Sequence, residues 1–217
     1  MAYDVKSARK DLYQPKQEPS LIDVDTARFL MIEGTGNPNQ EEGEYALAVE
    51  TLYALSYAIK MNKTALANLP GYVDYVVAPL EGLWWLDDTR LASDVAAHKD
   101  AFRWIMMIRQ PDFIGPKEFE AAQAAVLKKK PHLKASQVRF QTYTEGKSVQ
   151  AMHMGPYDEE PKTLASMRRF LDEVGEREAL GSISPEGILR THHEIYLSDP
   201  RKTEPGKRKT VLRHPLS

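Results

Sequence analysis

The chain has 217 residues, 42% of them hydrophobic, and a formal net charge of −2. That is enough apolar material for one large domain or two small ones packed together, and too balanced a charge for a surface devoted to nucleic acid. There is no cysteine, which excludes disulfides, thiolate nucleophiles and thiolate metal sites.

Residues 1–24 are polar, with Pro15 and Pro19, and read as an N-terminal arm with no apolar secretory core. Residues 27–33, ARFLMIE, predict a strand that stops at the turn residues Gly34, Thr35, Gly36, Asn37 and Pro38. A helix is predicted over 42–61, where Tyr45, Ala48, Val49, Leu52, Leu55, Ser56 and Ile59 share one stripe. Residues 72–86 read as extended, interrupted by Pro79, which marks a bulge, an edge or a break into two strands. A loop over 87–100 leads to a strand at 102–109.

The PDFIGP run at 111–116 punctuates the chain. A helix over 116–130 follows, with Pro116 in its first turn and Lys128, Lys129 and Lys130 at its negative end. Strands are predicted at 138–143 and 148–154, with a turn at Glu145-Gly146. Gly155-Pro156-Tyr157-Asp158 breaks the second, and a helix over 160–175 carries Leu164, Met167, Leu171 and Val174 on one face. A loop at 181–187 opens a strand over 188–201, whose hairpin partner at 207–213 closes the chain. No apolar run approaches the ~20 residues needed to span a bilayer, so the sequence predicts a soluble cytoplasmic protein without nucleic-acid or membrane partners.

The order strand–helix–strand–strand occurs twice, and two stretches support a repeat. WLDDTR at 85–90 matches YLSDPR at 196–201, and WIMMIRQP at 104–111 resembles RKTVLRHP at 208–215. The predicted architecture is α+β. Repeat one spans 25–111, a connector 112–135 and repeat two 136–217, all within one domain at 25–217. The two pseudo-symmetric units would enclose a ligand cleft between them.

The segment ILRTHHEIYLSDPR alternates. His192, Glu194 and Tyr196 point to one side, His193, Ile195 and Leu197 to the other. The second side is mostly apolar and suits packing under a helix. The first carries a carboxylate beside a phenol, which fits either a solvated sheet face or the wall of a pocket. By the repeat, Trp85 takes the place of Tyr196. Trp84 points the other way in a regular strand, and a bulge near Gly82 would exchange the two.

Three features together resemble the GyrI-like small-molecule-binding proteins: the repeated strand–helix–strand–strand order, GPYDEE at 155–160 leading into a helix, and EIYLSDPR at 194–201. These are similar to effector domains of multidrug-responsive transcription activators. LYQPK at 12–16 and IEGTGNPN at 32–39 look like a stand-alone branch of that family. The resemblance implies a ligand cleft with a glutamate among aromatic side chains, at the position of Glu194. It also brings in a subfamily that hydrolyses the strained cyclopropane of DNA-alkylating natural products.

The expected site follows. Glu194 would pair with a cationic ligand or orient water for attack, and Tyr196 would hydrogen-bond an oxygen on which negative charge develops. Trp84, Trp85, Trp104, Met106, Tyr143, Tyr157 and His192 are candidate ligand-binding residues. Trp104, Met106 and Ile108 share a face that fits either a cleft wall or a helix-facing core. His192 and His193 face opposite ways, which is poor for joint metal binding, so no metal is expected. No P-loop or dinucleotide fingerprint is present, and no cofactor is expected. The predicted function is binding of hydrophobic aromatic xenobiotics, with hydrolysis of strained electrophiles. The alternative is a binding-only module that sequesters drugs or serves as a sensor.

Overall fold

A computed structural model describes residues 2–88 and 97–217. In chain order it contains α1 (Val5–Ala8), α2 (Lys10–Tyr13), β1 (Ser20–Val24), β2 (Ala27–Thr35), α3 (Glu44–Met61), α4 (Lys63–Leu66), β3 (Leu80–Leu86) and β4 (Phe102–Gln110). Then come α5 (Pro116–Lys129), β5 (Arg139–Tyr143), β6 (Gly146–Met154), α6 (Glu160–Val174), β7 (Ser182–Ile183), β8 (Leu189–Arg190), β9 (His192–Tyr196) and β10 (Lys209–Pro215). This is an α+β chain with antiparallel strands, as expected. Part of the predicted 87–100 loop, 89–96, lies outside the described residues. No described helix is long and apolar enough to cross a membrane.

The chain forms two compact units, the first comprising Met1–Asp4, Ala27–Leu80 and Trp85–Thr142. Its strands run in the order β4-β2-β5. The stripe predicted on α3 is the buried one: Ala48, Leu52, Leu55 and Ile59 are closed to solvent. It faces Trp104, Met106 and Ile108 of β4, all fully buried. The Tyr45 ring meets Trp104 edge-on at 5.8 Å, and Gln110 Nε2 donates to Ser56 Oγ at 3.4 Å. Trp104 lies over Gly34, its register partner on β2. A Cβ on Gly34 would sit 2.2 Å from Trp104 Cη2, so the indole needs that glycine. β2 therefore runs through Gly34 to Thr35 rather than stopping before it.

The start of α5 is written in its sequence. Pro116 occupies the first turn, and the Gly115 backbone N–H donates to Glu118 Oε2 at 2.9 Å, which satisfies a donor the helix itself cannot.

The second unit comprises Val5–Thr26, Glu81–Trp84 and Tyr143–Ser217. Its strands run in the order β1-β6-β10-β9-β3. Directly paired residues share a face, so the register divides the side chains. Leu212 lies opposite both Ala151 and Glu194, and Gly82 opposite Glu194. Val149, Ala151 and Leu212 pack against Met167 and Leu171 of α6. The face under the helix is thus the one carrying Glu194, the reverse of the sequence expectation. The apolar character of β9 alone favours the other side, but its neighbours β6 and β10 supply the apolar residues that α6 covers.

The opposite face carries a buried polar cluster among Leu83, Ile195 and Val211. His193 Nδ1 lies 2.9 Å from Glu145 Oε1, and its Nε2 lies 3.1 Å from Glu81 Oε2. Arg213 Nη1 donates to Glu145 Oε2 at 2.8 Å. Burial opposes the charge on His193, but Glu145 and Glu81 outweigh it and raise its pKa to about 9. Burial likewise opposes the charge on Glu145, and His193 and Arg213 outweigh it, lowering its pKa to about 2. Two carboxylates and two cations balance out of water.

The N-terminal segment closes this face. Arg213 Nη2 donates to the Leu12 carbonyl at 2.9 Å, Gln150 Nε2 to the Asp11 carbonyl at 2.7 Å, and the Tyr13 hydroxyl to Glu81 Oε1 at 3.0 Å. Leu12 and Tyr13 are buried, and β1 pairs with β6 from Ser20↔Gln150 to Val24↔Gly146. Residues predicted as a polar arm are therefore partly core and partly sheet. Their polarity matches the charged surface they cover.

Candidate functional site

A second cluster of ionisable groups in this unit forms where the N-terminal end of α6 approaches the β9 face. His192 Nε2 lies 3.1 Å from Glu194 Oε1 and 3.9 Å from Glu160 Oε2. Glu160, in the first turn of α6, is 8% exposed, and its Oε1 is buried without a hydrogen-bond partner. Burial, then the charges of Glu194 and Asp158, push its carboxyl well above the usual carboxylate range.

Behind His192 the contacts continue. Its Nδ1 lies 2.8 Å from His214 Nε2, and His214 Nδ1 lies 2.6 Å from Glu178 Oε1. The hydrogen bond from His214 holds the Glu178 carboxyl below its usual range, against the effect of burial.

Aromatic rings flank the cluster. Trp84 Nε1 donates to the Tyr196 hydroxyl at 2.8 Å. The Trp84 backbone is itself fixed, since Thr191 Oγ1 donates to its carbonyl at 2.9 Å. Tyr157 meets Tyr196 edge-on, with ring centroids 6.0 Å apart, and the Arg208 guanidinium lies 5.5 Å from the Tyr157 ring centre. Burial, then the charge of Glu194, pushes the Tyr157 phenol up to about 12.

Of the residues singled out in the sequence, Glu194, Tyr196, His192, Trp84 and Tyr157 thus come together. The others lie elsewhere. Trp85 Nε1 donates to Asp87 Oδ1 at 3.2 Å in the first unit. Trp104 and Met106 belong to the core beneath α3. Tyr143 is 3% exposed, and burial and then Glu145 raise its phenol pKa. Pairing Trp84↔His192 places Trp84 on the site face, where translating the repeat favoured Trp85. The translation compares equivalent positions in two copies, whereas the face depends on parity across the antiparallel pair.

Glu160, His214 and Glu178 were not singled out in the sequence. Glu160 is the last residue of GPYDEE, where a helix start was legible. His214 follows from the β9–β10 register, one position beyond the Arg213↔His193 pair. Glu178 has no sequence signal; an isolated bridge to Leu216 places it.

Donor atoms of Glu160, His192 and Glu194 all lie within 4.8 Å of one another. These are the described residues that a cation could reach together. A separate concavity of about 290 Å³ in the first unit is lined mainly by Ala58, Ile59, Leu66, Ala121, Ala122 and Ala125, with no histidine.

Residues 17–217 match the family described as GyrI-like small molecule binding domain. The chain is similar to a crystal structure of a hydrolase from Listeria innocua, at 43% identity and TM-score 0.84 over 99% of each chain. An uncharacterized conserved protein from the same organism is 44% identical, with TM-score 0.87 over 99% of each chain. The C-terminal domain of EcmrR, 11% identical with TM-score 0.50 over 92% of this chain and 96% of that one, shares the fold. The chain matches no curated protein sequence.

Proposed function

The chain belongs to the GyrI-like small-molecule-binding family, and from that premise we propose that it hydrolyses strained, electrophilic aromatic ligands such as cyclopropane-bearing DNA alkylators. One observation carries this reading. Glu160, Glu194 and His192 converge beside Trp84, Tyr196 and Tyr157, so acid–base groups and aromatic side chains occupy one place. The Listeria innocua relative described as a hydrolase, alike over nearly its whole length, supports the reaction class.

The chemistry divides two tasks between two carboxyls, a recurrent arrangement in acid–base sites. Glu160, with its raised pKa, holds a proton to give. Glu194 and His192 form the base. Water attacks the cyclopropane carbon as a base of the pair takes its proton. The strained C–C bond breaks, and its electron pair passes into a conjugated carbonyl, which takes the proton from Glu160. Water is added, and the proton count balances. Ring strain supplies driving force, so the protein contributes mainly position and proton transfer.

The test is to incubate the purified protein with a cyclopropane-bearing alkylator and follow the water adduct by mass spectrometry. Glu160→Gln and Glu194→Gln should each lower turnover by about 10²–10⁴-fold while binding persists. Unchanged turnover in both variants rejects the assignment. The family description names binding alone, which favours a second reading as a drug-sequestering or sensor module. Tight calorimetric binding by wild type with no adduct would establish that reading instead.

A further inference from the structure

We infer that Glu178 and His214 are positioning residues that lock His192 as its Nδ1–H tautomer and so fix the face it presents to Glu194 and Glu160. This rests on the hydrolytic reading for its consequence in catalysis, but the proton order follows from the contacts and burial of the three side chains, whatever the reaction.

The order starts at the far end. Glu178 is anchored by the backbone: it forms an isolated bridge with Leu216, and the next residue, Ala179, donates its N–H to the Pro215 carbonyl at 2.7 Å. Arg168 Nε lies 3.9 Å from Glu178 Oε2, which favours the ionised carboxylate. An ionised carboxylate only accepts, so the 2.6 Å contact requires the proton on His214 Nδ1.

His214 is 2% exposed. Burial is the largest effect on it and lowers its pKa, so it is neutral and its Nε2 carries a lone pair. The 2.8 Å contact from that nitrogen to His192 Nδ1 then requires the second proton on His192 Nδ1. The rings cross at 79°, which lets a nitrogen at one ring's edge address the other. Each step removes a choice, and the last nitrogen in the chain, His192 Nε2, has its role set by a residue on the far side of two imidazoles.

That nitrogen faces Glu194 Oε1 at 3.1 Å. Two lone pairs cannot meet at this distance, so one proton lies between His192 and Glu194. The two protons further back are fixed, and this last one is mobile. His192 can therefore take a proton only at Nε2, on the side of Glu194 and Glu160, and cannot pass it backward without making His214 a buried cation. The arrangement orients a catalytic imidazole through its other nitrogen.

The test uses full-length protein labelled with nitrogen-15 in histidine, read by two-bond proton–nitrogen correlation. Wild type should show His192 protonated at Nδ1, with any second proton at Nε2 only. Glu178→Ala, at a side chain 20% exposed, removes the acceptor that sets the order and should give His192 a mixture of tautomers. His214→Phe should give His192 an Nε2–H form. With an alkylator substrate, Glu178→Ala should lower kcat about tenfold or more and His214→Phe about 10²-fold or more, KM staying within about twofold. Glu178→Asp should restore part of the loss.

A wild-type spectrum showing neutral His192 with a bare Nδ1 overturns the inference, whether or not the protein turns over any substrate. So does an unchanged kcat in Glu178→Ala when its His192 tautomer has shifted. If wild type binds the alkylator without converting it, the hydrolytic reading fails, and the spectra still decide the tautomer.

Discussion

Replacing Arg213 with Met isolates the charge balance beneath β9. The native cluster holds Glu81 and Glu145 against His193 and Arg213, with all four side chains 3% exposed or less. Arg213→Met keeps much of the side-chain volume but removes one positive charge. Glu145 keeps its contact with His193 Nδ1 at 2.9 Å, yet one negative charge is left uncompensated in the interior. The Leu12 carbonyl and Gln150 Oε1 also lose their donor. Breaking a buried pair from one side costs about 3–5 kcal/mol. At about 2–4 °C per kcal/mol for a chain near this size, the melting temperature should fall by about 6–20 °C. Thermal unfolding followed by circular dichroism at pH 6 reads this directly.

Two controls sharpen the test. Glu145→Gln in the same chain removes the excess charge, so the double variant should be more stable than the sum of the single losses predicts, by about 0.5–3 kcal/mol. The pH dependence has a defined sign. Glu145 has a folded pKa below its unfolded value, so its contribution is complete above about pH 4.5 and is lost as pH falls toward 2. His193 has a folded pKa above its unfolded value, so its contribution is complete below about pH 6.5 and is lost as pH rises through 9. The network therefore stabilises most between those limits, and Glu145→Gln should flatten the acid limb. A loss below about 1 kcal/mol in Arg213→Met, or strict additivity in the double variant, would refute this account of the cluster.

Gly34→Ala should cost about 1–3 kcal/mol, because its methyl would enter the Trp104 ring; a denaturant melt measures it, and an unperturbed midpoint contradicts the packing. Tyr13→Phe removes a hydroxyl bonded to the Glu81 carboxylate and should cost about 1.5–3 kcal/mol in the same assay, with faster proteolysis of the N-terminal segment. Elemental analysis of the purified protein should find no stoichiometric transition metal, since a proton held by Glu160 and another between His192 and Glu194 already occupy the three groups. One zinc per chain would contradict that view of the cluster.

Local features were legible where a few neighbouring residues decide them. The stripe of α3, the Gly115-Pro116 start of α5 and the alternation of β9 all follow from spacing and turn chemistry. The burial side of β9 did not, because it depends on Ala151 and Leu212, two strands brought alongside. Hydrophobicity within five residues pointed to Ile195, and the neighbours outweighed it. Trp84 was obscured by an alignment of copies, since sharing a face is a property of strand pairing. Glu160 and His214 reach His192 from a helix start and a hairpin partner, positions that only the register connects. The N-terminal segment read as an arm because it is polar, whereas its backbone carbonyls are what Arg213 and Gln150 require.

The most direct measurement of the proposed chemistry is the fate of solvent oxygen. Wild-type protein, incubated with a cyclopropane-bearing alkylator in water enriched in heavy oxygen, should yield a ring-opened product carrying one labelled oxygen, formed in repeated turnovers and suppressed in Glu160→Gln and Glu194→Gln. Recovery of the intact alkylator from a stable complex, or label entering at the same rate with both carboxyls replaced, would contradict it.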